Sequence, residues 1–219
     1  MIDKRVASVA EALADVRDDS TVLLPGFGDV GMPMALLEGL IEQGARSLTI
    51  VCNSGGRDGS AIARLLQLGR VRKMISSFIR PASEAGRLHL EGKLEVEIVP
   101  QGTLAERLRA AGAGIPAFYT PTGADTILAE GREVREIGGK LCMLELPLPG
   151  DVALIDAWQG DRWGNLTYRD TQRNFNPLMA MAASLTIAQV RHTVELGDLP
   201  PEHIHTPGIF VNRLVHVSA

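Results

Sequence analysis

The segment Gly26-Phe27-Gly28-Asp29-Val30-Gly31 has GxGxxG spacing and follows an apolar run. A glycine loop so placed, entering a helix, can aim backbone N–H groups and a helix amino end at an anion or an oxyanion. Asn53-Ser54-Gly55-Gly56, Ser76-Ser77 with Arg80 close behind, and Gln101-Gly102 add amide, hydroxyl and guanidinium donors. A dinucleotide site also needs an acid at the end of its second strand to hold a ribose, about 20 residues past the glycines. Cys52-Asn53 stands there instead, and no Lys follows the loop as a nucleotide phosphate loop requires. The loop thus reads as a donor-lined pocket for an oxyanion or a pyrophosphate. Neither a GxSxG elbow nor a Ser-His-Asp order is present.

The remaining reactive residue types form weaker groupings. Cys52 and Cys142 each lie within an apolar run, so buried thiols are expected rather than a disulfide framework or a metal half-site. His203 and His205 can share one strand face, but no third ligand stands at a diagnostic spacing, and no metal is expected. Asp161, Asp170 and the arginines around them read as a solvated or partner-facing segment.

The elements that must position these groups alternate. The apolar residues Val6, Val9, Leu13 and Val16 have helical spacing, and helical periods recur over Pro33 to Ile41, Ala61 to Leu68, Thr103 to Ala111 and Pro177 to Ala183. Strand-like runs cover Thr21 to Leu24, Leu48 to Cys52, Val71 to Phe78, Leu94 to Val99, Val152 to Trp158 and Leu185 to Val190, with Val194 to Leu196 extending that edge. Glu133 to Ile137 and Lys140 to Leu146 form a hairpin around Gly138-Gly139, and a Gly164-Asn165 turn precedes Leu166 to Tyr168. This β-then-α order predicts an α/β fold with an open, mostly parallel sheet and helices on both faces. If the first four strands are parallel, the donor groups collect at one rim, where open α/β sheets bind ligands. Each Gly or Asn is also a turn former, so the prediction rests on all four strand ends together.

The chain has 219 residues, with 22 basic and 26 acidic side chains for a formal net charge of −4, which excludes a basic nucleic-acid binder as the first reading. Hydrophobic residues make up 45% and charged residues 22%, in keeping with a single folded domain over residues 1–219. The longest uncharged run, Asn174 to Val190, is too polar to span about 30 Å of hydrocarbon. The amino terminus mixes Asp3, Lys4, Arg5 and Glu11 with short apolar stretches, unlike an export signal. A cytoplasmic protein is expected.

Several longer motifs carry a resemblance. Pro25-Gly26-Phe27-Gly28-Asp29-Val30-Gly31-Met32-Pro33 resembles the amino-terminal signature of the α subunit of the family I 3-oxoacid coenzyme A transferases, and Val99-Pro100-Gln101-Gly102-Thr103-Leu104-Ala105-Glu106-Arg107 resembles a later one. The similarity continues through Gly112 to Phe118, Asp161 to Leu166, Arg173-Asn174-Phe175-Asn176-Pro177 and His205 to Ile209, covering nearly the whole chain. Departures are Pro25 in place of the first of two glycines, Asp19 in place of a turn glycine, and Ser54 where a second asparagine is common. Pro25 removes one donor from the loop.

The resemblance implies a coenzyme A transferase fold, shared broadly with phosphosugar isomerases, and transfer of coenzyme A between carboxylic acids. The thioester is attacked by a glutamate of a separate CoA-transferase β subunit, which then carries a glutamyl thioester, so no Glu of this chain is assigned as nucleophile. This chain would supply Gly26, Phe27, Gly28, Asp29, Val30 and Gly31 to the coenzyme, Asn53 and Gln101 to the oxyanion and carboxylate, and Ser54 and Arg80 to the acid substrate. Coenzyme A is then a substrate, no cofactor is permanently bound, and the implied assembly is an α2β2 heterotetramer. Ser76-Ser77-Phe78-Ile79-Arg80 is closer to the 3-oxoadipate branch than to the acetoacetate branch, because an Arg here can pair with a second carboxylate, with succinyl-CoA the implied donor. An ion pair of Arg80 with Glu84 or Glu91 is the competing reading. Two other functions stay open: a sugar-phosphate or ligand-sensing module of the same fold, and a dehydrogenase.

Overall fold

The computed structural model describes residues 2–218. Strands β1 (Arg5–Val6), β2 (Thr21–Leu24), β3 (Leu48–Ser54), β4 (Val71–Phe78) and β5 (Glu95–Ile98) alternate with helices α1 (Val9–Ala12), α2 (Met34–Gln43), α3 (Ala61–Gln67) and α4 (Glu84–Leu90). Helix α5 (Gln101–Ala113) leads to β6 (Phe118–Thr120), β7 (Val134–Ile137) and β8 (Lys140–Glu145). The chain then returns through β9 (Gly150–Asp161), β10 (Leu166–Thr167), helix α6 (Asn176–Ala182), β11 (Ala183–Val194) and β12 (Arg213–His216).

Among the described residues the main sheet runs β1-β12-β11-β9-β2-β3-β4-β5, with only β10, which pairs with β9, antiparallel. The expected parallel sheet is therefore observed. Its order also reverses: β2 to β5 step outward in one direction, while β9, β11 and β12 step outward in the other. The boundary between β2 and β9 is a topological switch point, the place where such sheets open a crevice at their carboxyl rim.

Side-chain alternation along the strands divides the core in two. Leu24, Ile50, Cys52, Met74, Leu154 and Ile187 pack with buried residues of α1 to α4, whereas Leu23, Val51, Ile75, Ile155 and Ala188 pack with α5 and α6 on the other face. Helices thus cover both faces, as the period-2 pattern requires for strands buried twice over. A smaller antiparallel sheet, β6-β8-β7, contains the expected hairpin, with Gly138 and Gly139 both at positive φ. Buried Glu145 of β8 pairs with Arg132 and lies 3.7 Å from Arg107, which reaches Glu97 of β5 at 2.9 Å, so an ionic chain ties this sheet to the main one.

Two local expectations are corrected. The helix predicted over Val6 to Val16 is a four-residue helix, because Val6 is taken into β1 against Val215 and Ser8 caps the helix at Glu11. Leu13 and Val16 are buried in the turns that follow, so their spacing reported burial rather than helix length. Asp161 is not part of a solvated segment: it is 2% exposed and accepts bonds from Trp163 N, Asn165 N and Asn165 Nδ2 to build the turn before β10. Asp170 does lie at the surface.

Candidate active site

Because β2, β3, β4 and β5 are parallel, the glycine loop, Asn53-Ser54, Ser77 and Gln101 all reach one rim, with Gln101 opening α5. Alternation then separates them. Cys52 lies in the core under α2 and α3, so Ser54 shares that face, and Asn53 follows Val51 to the face covered by α5.

On the Ser54 face lies a cavity of about 300 Å³. Gly28 and Asp29 from the glycine loop, Ser54 to Arg57 at and beyond the end of β3, and Phe78 and Arg80 at and beyond the end of β4 line it, with Met32, Leu37 and Ile62 forming apolar walls. Asp29 is the one carboxylate in this lining, and it is ion-paired with Arg57. Arg80 has no ionic partner among the described residues, since Glu84 pairs with Arg87 and Glu91 with Lys93. The competing reading of Arg80 is thereby removed.

On the other face Asn53 is 9% exposed. Its Oδ1 accepts from Ser77 Oγ at 3.1 Å and from Gln101 Nε2 at 2.9 Å. With the carbonyl end held by two donors, the amide is fixed in orientation, and its Nδ2 makes no hydrogen bond among the described residues. Asn53 and Gln101 therefore form one unit, while Gly28, Asp29, Ser54 and Arg80 form another across the sheet.

The glycine loop differs from the expected anion cradle. Gly26 N donates to Asn174 Oδ1 at 3.0 Å, and Phe27 N donates to Val30 O. The amino end of α2 is closed too, because Gln189 Oε1 accepts from both Ala35 N at 3.1 Å and Leu36 N at 3.2 Å. A helix terminus capped by a buried glutamine has no N–H to offer a phosphate. Gly26, Phe27, Val30 and Gly31 do not line the cavity, so of the six loop residues only Gly28 and Asp29 do.

What sequence reasoning missed is the apparatus that closes the switch point. Asp156 on β9 accepts from Gln189 Nε2 and Gln172 Nε2, each at 2.7 Å. Asn176 donates to Gly31 O at 3.0 Å and Gln172 O at 2.8 Å, and its Oδ1 accepts from Asp156 N. Asp156, Gln172, Asn176 and Gln189 are all buried. Burial raises the Asp156 carboxyl above the usual carboxylate range, against the pull of its two glutamine donors. The motif around Asn174 and Asn176 was visible in the sequence, but nothing local said that its amides would meet the loop some 145 residues away.

The structural comparisons agree with this architecture. An acyl-CoA transferase, YdiF, from Escherichia coli O157:H7 superposes with a TM-score of 0.88 at 23% identity, over 98% of this chain and 47% of that one, which shows the shared fold. The chain spans about half the length of that solved structure. The sequence comparison decides the family: the coenzyme A transferase model matches residues 6–217. The chain belongs to the coenzyme A transferase family. The A subunit of 3-oxoadipate CoA-transferase from Pseudomonas putida is 55% identical over 100% of this chain and 95% of its own length. The A subunit of succinyl-CoA:3-ketoacid coenzyme A transferase from Xanthomonas campestris pv. campestris is 51% identical, over 97% and 88%. No helix among the described residues is long and apolar enough to cross a membrane.

Cys52, next to Asn53 in this transferase, is a buried thiol rather than a nucleophile. Its thiol is 1% exposed, donates to Ser54 O at 3.1 Å, and is pushed up to about 12 by burial. A thiol held protonated does not alkylate. Iodoacetamide at pH 8 should leave Cys52 unmodified in the native protein and modify it in denaturant, as read by peptide mass mapping. Alkylation of native Cys52 at the rate of a free thiol would contradict its placement.

Proposed function

We propose that this transferase is the α half of a two-subunit 3-oxoacid coenzyme A transferase, moving coenzyme A from succinyl-CoA to a 3-oxo acid, with 3-oxoadipate favoured over acetoacetate. The observation that carries this reading is the donor unit at Asn53, whose side chain is bonded to Ser77 and Gln101 and to no carboxylate among the described residues. Ser77 and Gln101 hold Asn53, and the cavity across the sheet offers only the paired carboxylate of Asp29. The relatives from Pseudomonas putida and Xanthomonas campestris are each named as the A subunit of their enzymes.

In this reading the thioester carbonyl is attacked by a glutamate of the β subunit, coenzyme A leaves as thiolate, and the thiolate then attacks the resulting anhydride at the glutamyl carbonyl. That step releases the donor acid as carboxylate and leaves a glutamyl thioester, which the acceptor acid reverses. Each addition places negative charge on a carbonyl oxygen. A pre-aimed N–H donor such as Asn53 Nδ2 stabilises that charge by about 3–4 kcal/mol. Gln101 holds Asn53 at the first residue of α5. Coenzyme A is substrate here, so the chain needs no resident cofactor or metal, and an α2β2 assembly would bring the two half-sites together.

The cavity supports the choice of acid. Its apolar walls suit a short carbon chain, and Arg80, unpaired at its edge, suits a distal carboxylate, with Ser54 a hydrogen-bonding neighbour. The sugar-phosphate alternative loses the helix terminus on which a phosphate would sit, since Gln189 occupies it.

The purified chain should show no thioester exchange between succinyl-CoA and 3-oxoadipate, and an equimolar amount of its β partner should restore it. Turnover by the chain alone would overturn the reading. In the assembled enzyme, Arg80→Ala should raise KM for 3-oxoadipate about tenfold, equivalent to about 1.4 kcal/mol, and leave acetoacetate within about twofold. Equal effects on both acids would remove Arg80 from substrate recognition.

A further inference from the structure

The crevice at the switch point between β2 and β9 is filled by the protein's own polar side chains. We propose that Asp156 is a positioning residue: by fixing which way Gln189 and Gln172 point, it sets the start of α2 and the place of the glycine loop beside the cavity.

A carboxylate only accepts hydrogen bonds, whereas a primary amide accepts at one end and donates at the other. Asp156 Oδ1 faces Gln189 and Oδ2 faces Gln172. Both glutamines must therefore turn their NH2 ends inward, and both carbonyl ends must point away. The outward Oε1 of Gln189 meets two N–H donors at the head of α2. The outward Oε1 of Gln172 meets Arg169 N at 3.0 Å, closing the turn that leads into Asn174 and Asn176. From that turn Asn174 grips Gly26 N and Val30 O, and Asn176 grips Gly31 O, so three points of the loop backbone are held.

The fit leaves no slack. Gly31 has φ +72°, and a Cβ there would lie 2.5 Å from both Asn174 Nδ2 and Gln172 O. Asp156 has no cationic partner within ion-pair distance among the described residues, so its charge is met by the two amide donors, with Arg191 acting on it only through space. A buried carboxylate kept on these terms costs stability that an apolar side chain would not. Its geometric effect is to fix the orientation of two amides. That effect bears on the reaction because Gly28 and Asp29 of the held loop line the cavity, so the inference rests on the reading of that cavity as the substrate site.

Replacing Asp156 by Asn keeps the shape and changes one acceptor into a donor. One glutamine must then flip or lose its partner, and a flipped Gln189 would point its NH2 at the N–H groups of Ala35 and Leu36. A second substitution repairs this. In the double variant Asp156→Asn with Gln189→Glu, the introduced amide accepts from Gln172 and donates to the introduced carboxylate. That carboxylate's other oxygen accepts from Ala35 N and Leu36 N at a helix amino end, where negative charge is favourable.

The test uses the enzyme assembled with its β partner, assayed with succinyl-CoA and 3-oxoadipate alongside hydrogen exchange of the Ala35 and Leu36 amides. Asp156→Asn should raise KM for succinyl-CoA or 3-oxoadipate at least fivefold with kcat within threefold, and speed exchange of both amides at least tenfold. The double variant should return KM to within twofold of the parent. A merely structural role would lower the melting temperature and the active fraction while leaving KM in place, and that result overturns the proposal. So does a folded double variant whose KM stays raised, which remains decisive if Asp156→Asn alone fails to fold. Asp29→Ala trims the loop side chain that lines the cavity, at a backbone position any residue can adopt, and tests the substrate site separately. A changed KM there with an unchanged KM in Asp156→Asn refutes the positioning role alone. An unchanged KM in Asp29→Ala removes the loop from the substrate site, and the proposal with it.

Discussion

A buried carboxylate on β9, bonded to two glutamines and, among the described residues, to no cation, governs how the two halves of the sheet meet. Strands β2 to β5 and strands β9 to β12 run outward from a common seam, and an open α/β sheet leaves a gap at such a seam. Asp156, Gln172, Asn176 and Gln189 close it from within. Leaving any of these buried groups unpaired would cost about 1–3 kcal/mol, so the network is held as a unit. With the seam filled, the space left for a ligand lies one strand over, between the loops after β2, β3 and β4.

That displacement leaves the GxGxxG loop beside the cavity rather than at the seam. Spacing alone gives the loop its turns, and the positive φ of Gly26, Gly28 and Gly31 follows from them. Which N–H groups remain for a ligand depends on partners far along the chain. Asn174 takes the N–H of Gly26, and Gln189 takes two at the head of α2. A side-chain amide, Asn53, is held at the same rim by Ser77 and Gln101.

Much of the fold was legible in the sequence because strand and helix periods are local. The buried runs of β2, β3 and β4, the hairpin at Gly138-Gly139, and the gathering of polar groups at one rim all followed from side-chain pattern. Short edge elements were not legible: β1 has two residues and exists only because β12 lies beside it. Asp161 shows the same limit, since a carboxylate that builds a turn and one that faces water look alike in sequence. At the site, the residue types were readable, but the division between the Asn53 and Ser54 faces needed the strand register. The Asp156 network was invisible, because glutamines at positions 172 and 189 carry no local pattern that marks them as partners.

One rim thus offers a held amide donor on one face and, on the other, a cavity whose only lining carboxylate is ion-paired. In the proposed reading such a surface steadies charge, and the covalent intermediate forms on the β partner. Incubating the assembled enzyme with succinyl-CoA, reducing any enzyme-bound thioester with borohydride, and mapping the reduced residue by peptide mass spectrometry tests this directly. Modification is expected at one glutamate of the β partner and nowhere on this chain. A reduced glutamate or aspartate within this chain would contradict the division of labour between the two halves.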